Sequence, residues 1–413
     1  MRDPYSRFRK FTLPNGLDVY LAHWNRPWVA AKFVVHAGAR EDPSRLLGVA
    51  HFVEHVVSDN IPGWGKTSLS GHFEKMGGTA HLGNTSQLAT RYGFFAPAET
   101  ATLEDAFSIF GRMLLEAKLK ESIEKEREII IHEFNRKYPI RQESEWNNAI
   151  TSTILPSHRP AVGMGTPEMI AEVGENDLQA FYDAFYTPQN ISLVVVGGVK
   201  AEELKRILRQ SPFGQDSGGS RNPMPAVMLT LPKPIIPRLD ISLSEHGINN
   251  IKRMERCFCW TFPADFDRQA RRIFTGMLHR RLNLAIREKG RFSYHVDFGW
   301  DDLQDVSICS IKFFVDPATD DRTDETVRQA IDSVLVSPDL FKEVKQTQLA
   351  SQQLIDASDK ELCDIAASDV TLFQRIITIT EETRSLRKVR FDRMIEAASY
   401  FSPARQFVRI LRP

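Results

Sequence analysis

Hydrophobic and polar positions along the 413-residue chain predict strands and helices in a similar order in its two halves. In the first half, short apolar runs rich in β-branched residues predict strands at residues 8–13, 17–21, 29–36, 89–95 and 191–199. Apolar positions at helical spacing predict helices at residues 43–57, 69–76, 103–117, 123–136, 177–185 and 201–210. Asp42-Pro43 gives the first helix a cap and a first turn, and Gly77-Gly78 ends the second helix.

Proline and glycine become dense between residues 211 and 239, which predicts a linker between domains. Beyond it, the pattern predicts a long helix at residues 267–288 and strands at 256–262, 294–300, 306–315 and 407–411, with further helices before the last strand. The predicted fold is therefore α+β, with two tandem α/β-layer domains whose mostly antiparallel sheets are covered by helices. The expected division is 1–210, a linker at 211–239, and 240–413.

Composition narrows the class of protein. Hydrophobic residues make up 42% and charged residues 26%, as in globular domains, and 53 basic residues balance 53 acidic ones. This balance does not favour a nucleic acid or an anionic membrane as partner, and no apolar stretch is long enough to span a bilayer. The chain start lacks the apolar run of a secretory signal, and the four cysteines have no CxxC spacing. We therefore expect a cytoplasmic protein with free thiols at Cys257, Cys259, Cys309 and Cys363.

The segment His51-Phe52-Val53-Glu54-His55 carries the clearest chemical signal. On a helix, positions i, i+3 and i+4 share one face, so two imidazoles reach one zinc ion beside a carboxylate that activates water. The order H-x-x-E-H is the inverted form of the zincin motif. The alternative is an amphipathic helix with two partly buried histidines.

A catalytic zinc site needs a third protein ligand. Glu126 and Glu133 lie two turns apart on the predicted helix at 123–136, so they share a face. The apolar block at residues 129–131 predicts that this helix is deeply buried, where a carboxylate needs a partner such as zinc. The alternative is an exposed, charge-rich helix with ordinary salt bridges.

These motifs resemble the insulinase or pitrilysin family of inverzincin zinc metallopeptidases, which includes the mitochondrial processing peptidases. The resemblance covers nearly the whole chain and rests on residues 13–17, 48–55, the Glu126…Glu133 pair, 165–168 with 177–182, and 186–190 with 194–197. It implies that His51, His55 and Glu133 bind zinc. It also implies that Glu54 is the general base and that Glu126 supports the site from behind the ligands.

Residues 287–294, REKGRFSY, resemble a substrate-holding stretch of the same family. The resemblance maps Arg287 and Tyr294 onto the family residues that hold the peptide, and both suit the binding of carbonyl or oxyanion groups. The alternative is a basic helix end followed by an ordinary strand tyrosine. This sequence departs from the family pattern in the strand after Gly77-Gly78. His81 stands near the expected asparagine and Asn84 comes late, which leaves open which of them contacts substrate.

The resemblance implies two homologous α+β domains per half of a clamshell that closes around a peptide. This chain corresponds to one half, so a complete chamber implies a dimer, with a homodimer as the simplest arrangement and a heterodimer as the alternative. The implied function is zinc-dependent endopeptidase activity on peptides or leader and precursor segments. A peptide-binding or assembly subunit that does not cleave is the alternative, and a leader-peptide maturase is not distinguished from a general oligopeptidase.

Overall fold

The computed structural model describes residues 3–43, 45–61, 69–141, 163–215, 219–221, 238–249, 251–263, 266–289, 295–302, 306–353, 358–401 and 406–413. Within these ranges the chain forms two β-sheets, one from each half, with helices packed against both. No helix in the described ranges combines the length and the apolar character needed to cross a membrane.

The first sheet has six described strands in the order β1-β2-β6-β3-β5-β4. Their bounds are β1 Arg9–Thr12, β2 Asp18–His23, β3 Trp28–Val35, β4 Thr79–Thr85, β5 Thr90–Pro97 and β6 Ile191–Gly197. The β2–β6 pair is parallel and the other pairs are antiparallel. Strand β6 is buried along its whole length, as expected for an apolar strand in the middle of a covered sheet.

Helices of the first half pack on one face of this sheet. Their bounds are α1 Val49–Asp59, α2 Leu69–Lys75, α3 Thr100–Leu115, α4 Ile123–Lys137, α5 Pro167–Glu172, α6 Glu175–Phe185 and α7 Ala201–Gln210. Side chains of α1 and α3 join those of the sheet in one apolar core, in which Phe33 stacks on Phe110 and on Phe213. Phe213 lies just beyond α7, so the start of the predicted linker belongs to this core. Most of the remaining linker, residues 216–218 and 222–237, lies outside the described residues.

The second sheet has five described strands in the order β7-β11-β8-β10-β9. Their bounds are β7 Arg238–Ser242, β8 Met254–Pro263, β9 Val296–Asp302, β10 Val306–Val315 and β11 Gln406–Arg412. The helices of this half are α8 Arg268–Leu282, α9 Thr323–Leu335, α10 Pro338–Gln353, α11 Asp359–Phe373, α12 Ile379–Lys388 and α13 Phe391–Ala398, with wider helical turns at Asn283–Lys289 after α8. The core of this half forms between α8 and the side chains at alternate positions of β8 and β10.

The two sheets have the same topology. The order β2-β6-β3-β5-β4 in the first corresponds to β7-β11-β8-β10-β9 in the second, and the parallel pair occupies the same place in both. This agreement between strand orders indicates that the two halves share one domain plan. It confirms the predicted α+β class and the plan of mostly antiparallel sheets covered by helices.

Helix α11 connects the two halves. Although it comes from the second half, its residues Leu362, Cys363 and Ala366 pack on the face of the first sheet opposite α1. The Cys363 thiol lies 3.5 Å from the carbonyl oxygen of Val194 on β6 and 3.7 Å from that of Ala30 on β3. The first sheet is therefore covered on both faces, on one of them by a helix that follows it by more than 150 residues in the chain.

Two details of the predicted helices are wrong. Helix α1 begins at Val49 and not at residue 43, because turns at residues 45, 47 and 48 come before the helix. Helix α4 is not deeply buried, since Ile129 is 40% exposed and only one face of the helix, with Ile123, Glu126 and Ile130, is buried. A run of three isoleucines cannot lie on a single helix face, because successive residues point about 100° apart.

Candidate active site

Helix α1 is fixed in place by a buried carboxylate seven residues before its first residue. Asp42 is fully buried and accepts hydrogen bonds from the backbone N–H of Gly48, at 2.6 Å, and of Ala50, at 2.7 Å. Gly48 has a φ of +92°, and a Cβ there would lie 2.5 Å from the carbonyl oxygen of Met164. The cap and the close approach of residues 48 and 164 together set the orientation of α1. They thereby set the direction of the helix face that carries His51 and His55.

The histidines of α1 converge with a carboxylate of α4. Oε2 of Glu133 lies 3.7 Å from Nε2 of His51 and 3.6 Å from Nε2 of His55. One ligand atom from each residue lies within 4.8 Å of the other two. Two ligand atoms of a tetrahedral zinc ion, each at about 2.0–2.1 Å from the metal, are about 3.3–3.4 Å apart. The three donors therefore fit one zinc ion with small side-chain adjustments.

The second carboxylate of α4 lies behind this set. Oε2 of Glu126 lies 2.9 Å from Nδ1 of His55, so the carboxylate holds the ring with Nε2 directed toward Glu133. A carboxylate on the far nitrogen of a metal-binding histidine is a recurring arrangement that fixes the tautomer and strengthens the ligand. The two-turn spacing of Glu126 and Glu133 thus places one carboxylate beside the histidine nitrogens and the other behind one ring.

The two imidazoles differ in electrostatic environment. Burial, together with the charges of His55 and Lys137, lowers the pKa of His51 to about 3, so this ring is neutral. Its Nδ1 is buried and has no hydrogen-bond partner among the described residues. Burial also opposes the charged form of His55, but the hydrogen bond to Glu126 and the carboxylates of Glu54 and Glu133 outweigh it and raise its pKa.

Glu54 lies between the two histidines in sequence and is held by strand β4. Its Oε2 accepts a hydrogen bond from the Thr85 hydroxyl, and Gly83 presents bare backbone to its side chain. A Cβ at Gly83 would lie 2.3 Å from Cγ of Glu54. Burial raises the pKa of Glu54, against the opposing effects of hydrogen bonds from Thr85 and the charge of His55. A carboxylate with a raised pKa is better suited to take up a proton.

The site opens into a cavity of about 930 Å³ between the two halves of the chain. His51, Glu54, His55 and Glu133 line it on one side, and Cys257, Cys259, Trp300 and Arg409 of the second half line it on another. Arg91 of β5 also lines the cavity and donates hydrogen bonds to α11, to Ser368 Oγ at 3.2 Å and to Thr371 Oγ1 at 3.0 Å. Both halves of the chain therefore contribute to one space around the site.

The remaining predicted site residues have different positions. Asn84 lines the cavity, whereas His81 is exposed on β4 and is not among the described lining residues. Arg287 belongs to the helical turns after α8, but its side chain lies outside the described part of the chain, as does Tyr294 entirely. The placement of this pair relative to the site stays a prediction.

Three residues that position the site, Asp42, Gly83 and Thr85, and one that lines the cavity, Arg91, were not assigned these contacts by sequence reasoning. Asp42 was expected to cap a helix beginning at the next residue, whereas it reaches the amides of Gly48 and Ala50. Thr85, Gly83 and Arg91 act through contacts between elements that are distant along the chain. The Gly83-Asn84-Thr85 stretch beside a predicted metal helix was the only available signal for the contacts to Glu54.

Two family models match most of the chain. Residues 19–155 match the insulinase model of peptidase family M16, and residues 172–348 match the model described as the peptidase M16 inactive domain. The first match contains every residue of the candidate metal set. The second begins in the first half at α5 and extends to α10.

Curated relatives and solved structures agree with these matches. The chain is 27% identical to the mitochondrial-processing peptidase subunit beta of Caenorhabditis elegans and 25% identical to the probable zinc protease PqqL of Escherichia coli. These alignments cover 49% and 43% of this chain, but only 44% and 20% of the relatives' own lengths. A protease from Helicobacter pylori has the same fold over the full length of both chains, with a TM-score of 0.81 at 16% identity. The sequence motifs, the duplicated topology and the two family models together show that this chain belongs to the M16 family of peptidases.

Proposed function

We propose that this protein is a zinc-dependent endopeptidase that cleaves peptides or leader and precursor segments at the His51/His55/Glu133 site. The convergence of three metal-binding donors with the buried carboxylate of Glu54, at the wall of a 930 Å³ cavity, carries this proposal. Membership of the M16 family supports it. The cytoplasmic location expected from the sequence stays a prediction.

Each residue of the site has a distinct part in the proposed reaction. His51, His55 and Glu133 would hold the zinc ion, which when bound polarises a carbonyl and acidifies water. Glu54 takes the proton of the attacking water and returns it to the leaving amine, a role that its raised pKa favours. Thr85 holds the Glu54 carboxylate in place, and Glu126 orients the His55 ring.

Strand β4 offers a docking edge for the peptide. It is the last described strand of its sheet, and its backbone N–H and C=O groups on the outer side are available for a further strand. A register shift between His81 and Asn84 interrupts the pairing of β4 with β5 close to Glu54. We propose that the substrate adds to this edge in extended form, with its scissile bond beside the metal site.

We further propose that two such chains close around the substrate, as a homodimer or together with a homologous partner. PqqL supports this idea, because the present chain matches its fold along 100% of its own length but only 48% of that protein. The separate structure of the first half of PqqL also has this fold, with a TM-score of 0.76. Light scattering of an inactive variant, measured with and without a peptide substrate, tests the assembly. A protein that cleaves as a monomer would contradict it.

The Glu54→Gln variant tests the peptidase proposal. The amide keeps the size of the side chain but cannot take up the proton, so turnover of a quenched peptide should fall by at least about 10³-fold. Zinc content, measured by elemental analysis, should stay at one ion per chain. Glu128→Gln, on the exposed side of α4, is the matched control and should cleave at the wild-type rate.

Two results would contradict the proposal. Full activity of Glu54→Gln would exclude Glu54 as the base, and wild-type activity that survives complete removal of zinc by a chelator would exclude the metal mechanism. A wild-type protein that binds zinc and peptide but cleaves none of a broad peptide library would instead fit the alternative of a non-cleaving subunit.

A further inference from the structure

The second sheet turns one face toward the cavity that holds the metal site. Alternate residues of β8, among them Phe258 and Trp260, belong to the core of the second half, so Cys257 and Cys259 point to the opposite face. Both cysteines line the cavity together with Ser310 of β10 and Arg409 of β11. The strand alternation thus places a pair of thiols on the wall of the proposed substrate chamber.

The two thiols are close neighbours. The Sγ atoms of Cys257 and Cys259 are 3.8 Å apart, within hydrogen-bonding distance for sulfur, and both residues retain a small exposed fraction, 8% and 7%. The other two cysteines differ, because Cys309 and Cys363 are fully buried in the apolar cores of the molecule. Only the first pair faces a space that a reagent or a substrate would enter.

Basic residues flank Cys257 on both neighbouring strands. Arg409 of β11 and Lys312 of β10 are its direct cross-strand partners. The hydrogen bond from Cys259 and the charges of Arg409 and Lys312 lower the pKa of Cys257 in spite of burial and of Glu255, which forms an ion pair with Arg409. Cys259, as the donor of the pair, has a raised pKa. The thiolate is the reactive form of cysteine, so this setting favours reaction at Cys257.

We propose that the Cys257–Cys259 pair is a modification site at which a low-molecular-weight disulfide forms a mixed disulfide with Cys257 and blocks the chamber. The Cys257 thiolate attacks one sulfur of the reagent, and a new S–S bond forms as the bond within the reagent breaks. The second sulfur leaves as a thiolate and takes a proton from solvent. Cys257 is thereby oxidised, and the released half of the reagent is reduced.

The adduct should persist, because Cys259 is poorly placed to displace it. Residues i and i+2 of a strand have Cα atoms about 6.4–6.8 Å apart, at the upper end of the range for a disulfide. Strand β8 is paired along both edges, with β10 and with β11, which opposes the bending that an internal disulfide would need. We therefore expect Cys259 to act as the hydrogen-bond donor that stabilises the thiolate, with a thiol reductant removing the adduct.

The inhibitory effect rests on the proposed peptidase function, whereas the modification itself does not. The experiment uses full-length, zinc-loaded protein treated with glutathione disulfide, followed by peptide mapping with mass spectrometry and by the quenched-peptide assay. We expect one glutathionyl group at Cys257 and none at Cys309 or Cys363. Turnover should fall as the modified fraction rises, by at least tenfold at full modification, and dithiothreitol should restore it.

Two variants make the test specific. For each protein, the ratio of activity with and without glutathione disulfide is measured, so differences in untreated activity do not matter. Cys257→Ser should keep a ratio near one. Cys259→Ala should be modified about three to ten times more slowly at Cys257, because it lacks the hydrogen-bond donor to the thiolate.

The outcomes separate the two proposals. Modification at Cys309 or Cys363 in preference to Cys257, or no modification, would overturn the site. Stoichiometric modification of Cys257 with undiminished turnover would overturn the blocking role. If the untreated protein cleaves no peptide, the peptidase proposal fails, and the mass map still decides whether Cys257 is the reactive thiol.

Discussion

At the residue scale, the contact between Gly83 and Glu54 has the clearest consequence for activity. The Glu54 side chain occupies the space that a Cβ at position 83 would need, at 2.3–2.6 Å from three of its atoms. In Gly83→Ala, the carboxylate must leave its place beside Thr85 and the candidate metal-binding residues. We expect kcat to fall by about 10²-fold, because small displacements of a catalytic group are costly, while zinc content stays unchanged.

The matched control for this substitution is Gly71→Ala. Gly71 lies in α2, where a Cβ would meet no atom within 4 Å. Alanine is also the better helix former, so this variant should keep its activity and gain slightly in stability. Equal activity of the two variants in the peptide assay would show that the space beside Glu54 is not needed.

A second residue-scale prediction distinguishes the two candidates on β4. Asn84 lines the cavity, whereas the side chain of His81 is exposed and does not. If the peptide adds to β4, Asn84→Ala should raise KM about three- to tenfold through loss of a polar contact, and His81→Ala should change it less than twofold. Steady-state kinetics on one peptide measures both, and the reverse order would assign substrate contact to His81.

The sequence supports prediction of the metal set at this scale because its geometry is local. His51, Glu54 and His55 share a helix face by spacing alone, and so do Glu126 and Glu133. Which carboxylate faces the histidine nitrogens was implied only by the family resemblance. The contacts of Glu54 with Thr85 and Gly83 depend on how β4 packs beside α1, and this packing has no signature in residue spacing.

At the element scale, α11 contains a carboxylate that accepts a hydrogen bond from the turn after the helix and should cost stability at neutral pH. Asp369 of α11 is buried, and its Oδ2 accepts a hydrogen bond from the backbone N–H of Ile377 at 2.9 Å. Burial raises its pKa from 3.8 to about 6, although Ile377 and nearby arginines oppose the shift. Between pH 4 and pH 6 the folded protein thus binds this proton more tightly than the unfolded chain, so stability falls as pH rises through that range.

The Asp369→Asn variant tests this pH dependence. Asparagine keeps an acceptor for the Ile377 N–H but cannot ionise, so the free energy of unfolding should rise by about 1–2 kcal/mol at pH 8 and change little at pH 4. Urea unfolding at both pH values measures the difference. Asp339→Asn, at a side chain that is 93% exposed, is the control and should show no such gain. A loss of stability in Asp369→Asn at pH 8 would show that the charged form is favourable.

Prediction from sequence was strongest for the elements with clear periodicity and weakest at their ends. Helix α7 and strand β10 have the predicted bounds, whereas α1 begins six residues later than expected. Asp42-Pro43 is an ordinary helix-start signal, but Asp42 here spans a turn to reach Gly48 and Ala50. The error therefore lies in how far the capping carboxylate reaches, which depends on the turns at residues 45–48 and on the close approach of Met164 to Gly48.

At the scale of the whole molecule, α11 ties the stability of the first sheet to the second half of the chain. Ala366 is fully buried against that sheet, so Ala366→Glu would place a charge in an apolar contact. We expect the free energy of unfolding to fall by about 3 kcal/mol or more, and hydrogen exchange in β3 and β6 to become faster. Ile365→Glu, at a neighbouring position of α11 that is 45% exposed, is the control. Unchanged exchange in β3 and β6 of Ala366→Glu would contradict this coupling.

The duplicated topology was visible in outline from the order of strands and helices. The packing of α11, a helix of the second half, on the sheet of the first half was not. Its apolar face predicts only that it packs against something, and many sheet faces would satisfy that pattern. Leu362, Ala366 and Val370 are spaced as in any amphipathic helix. The choice of partner is made by the complete three-dimensional arrangement of both halves.

The position of α11 also means that the boundary along the chain and the boundary in space do not coincide. A cut in the proline-rich stretch after residue 221 would divide the chain into two polypeptides, each containing all described strands of one sheet. The first polypeptide would lack α11, the helix that covers one face of its sheet. Neither polypeptide should then be fully folded alone, and the two should recover the native structure when produced together. The molecule could therefore serve as a split protein, in which recovery of the native structure signals that the two polypeptides have associated.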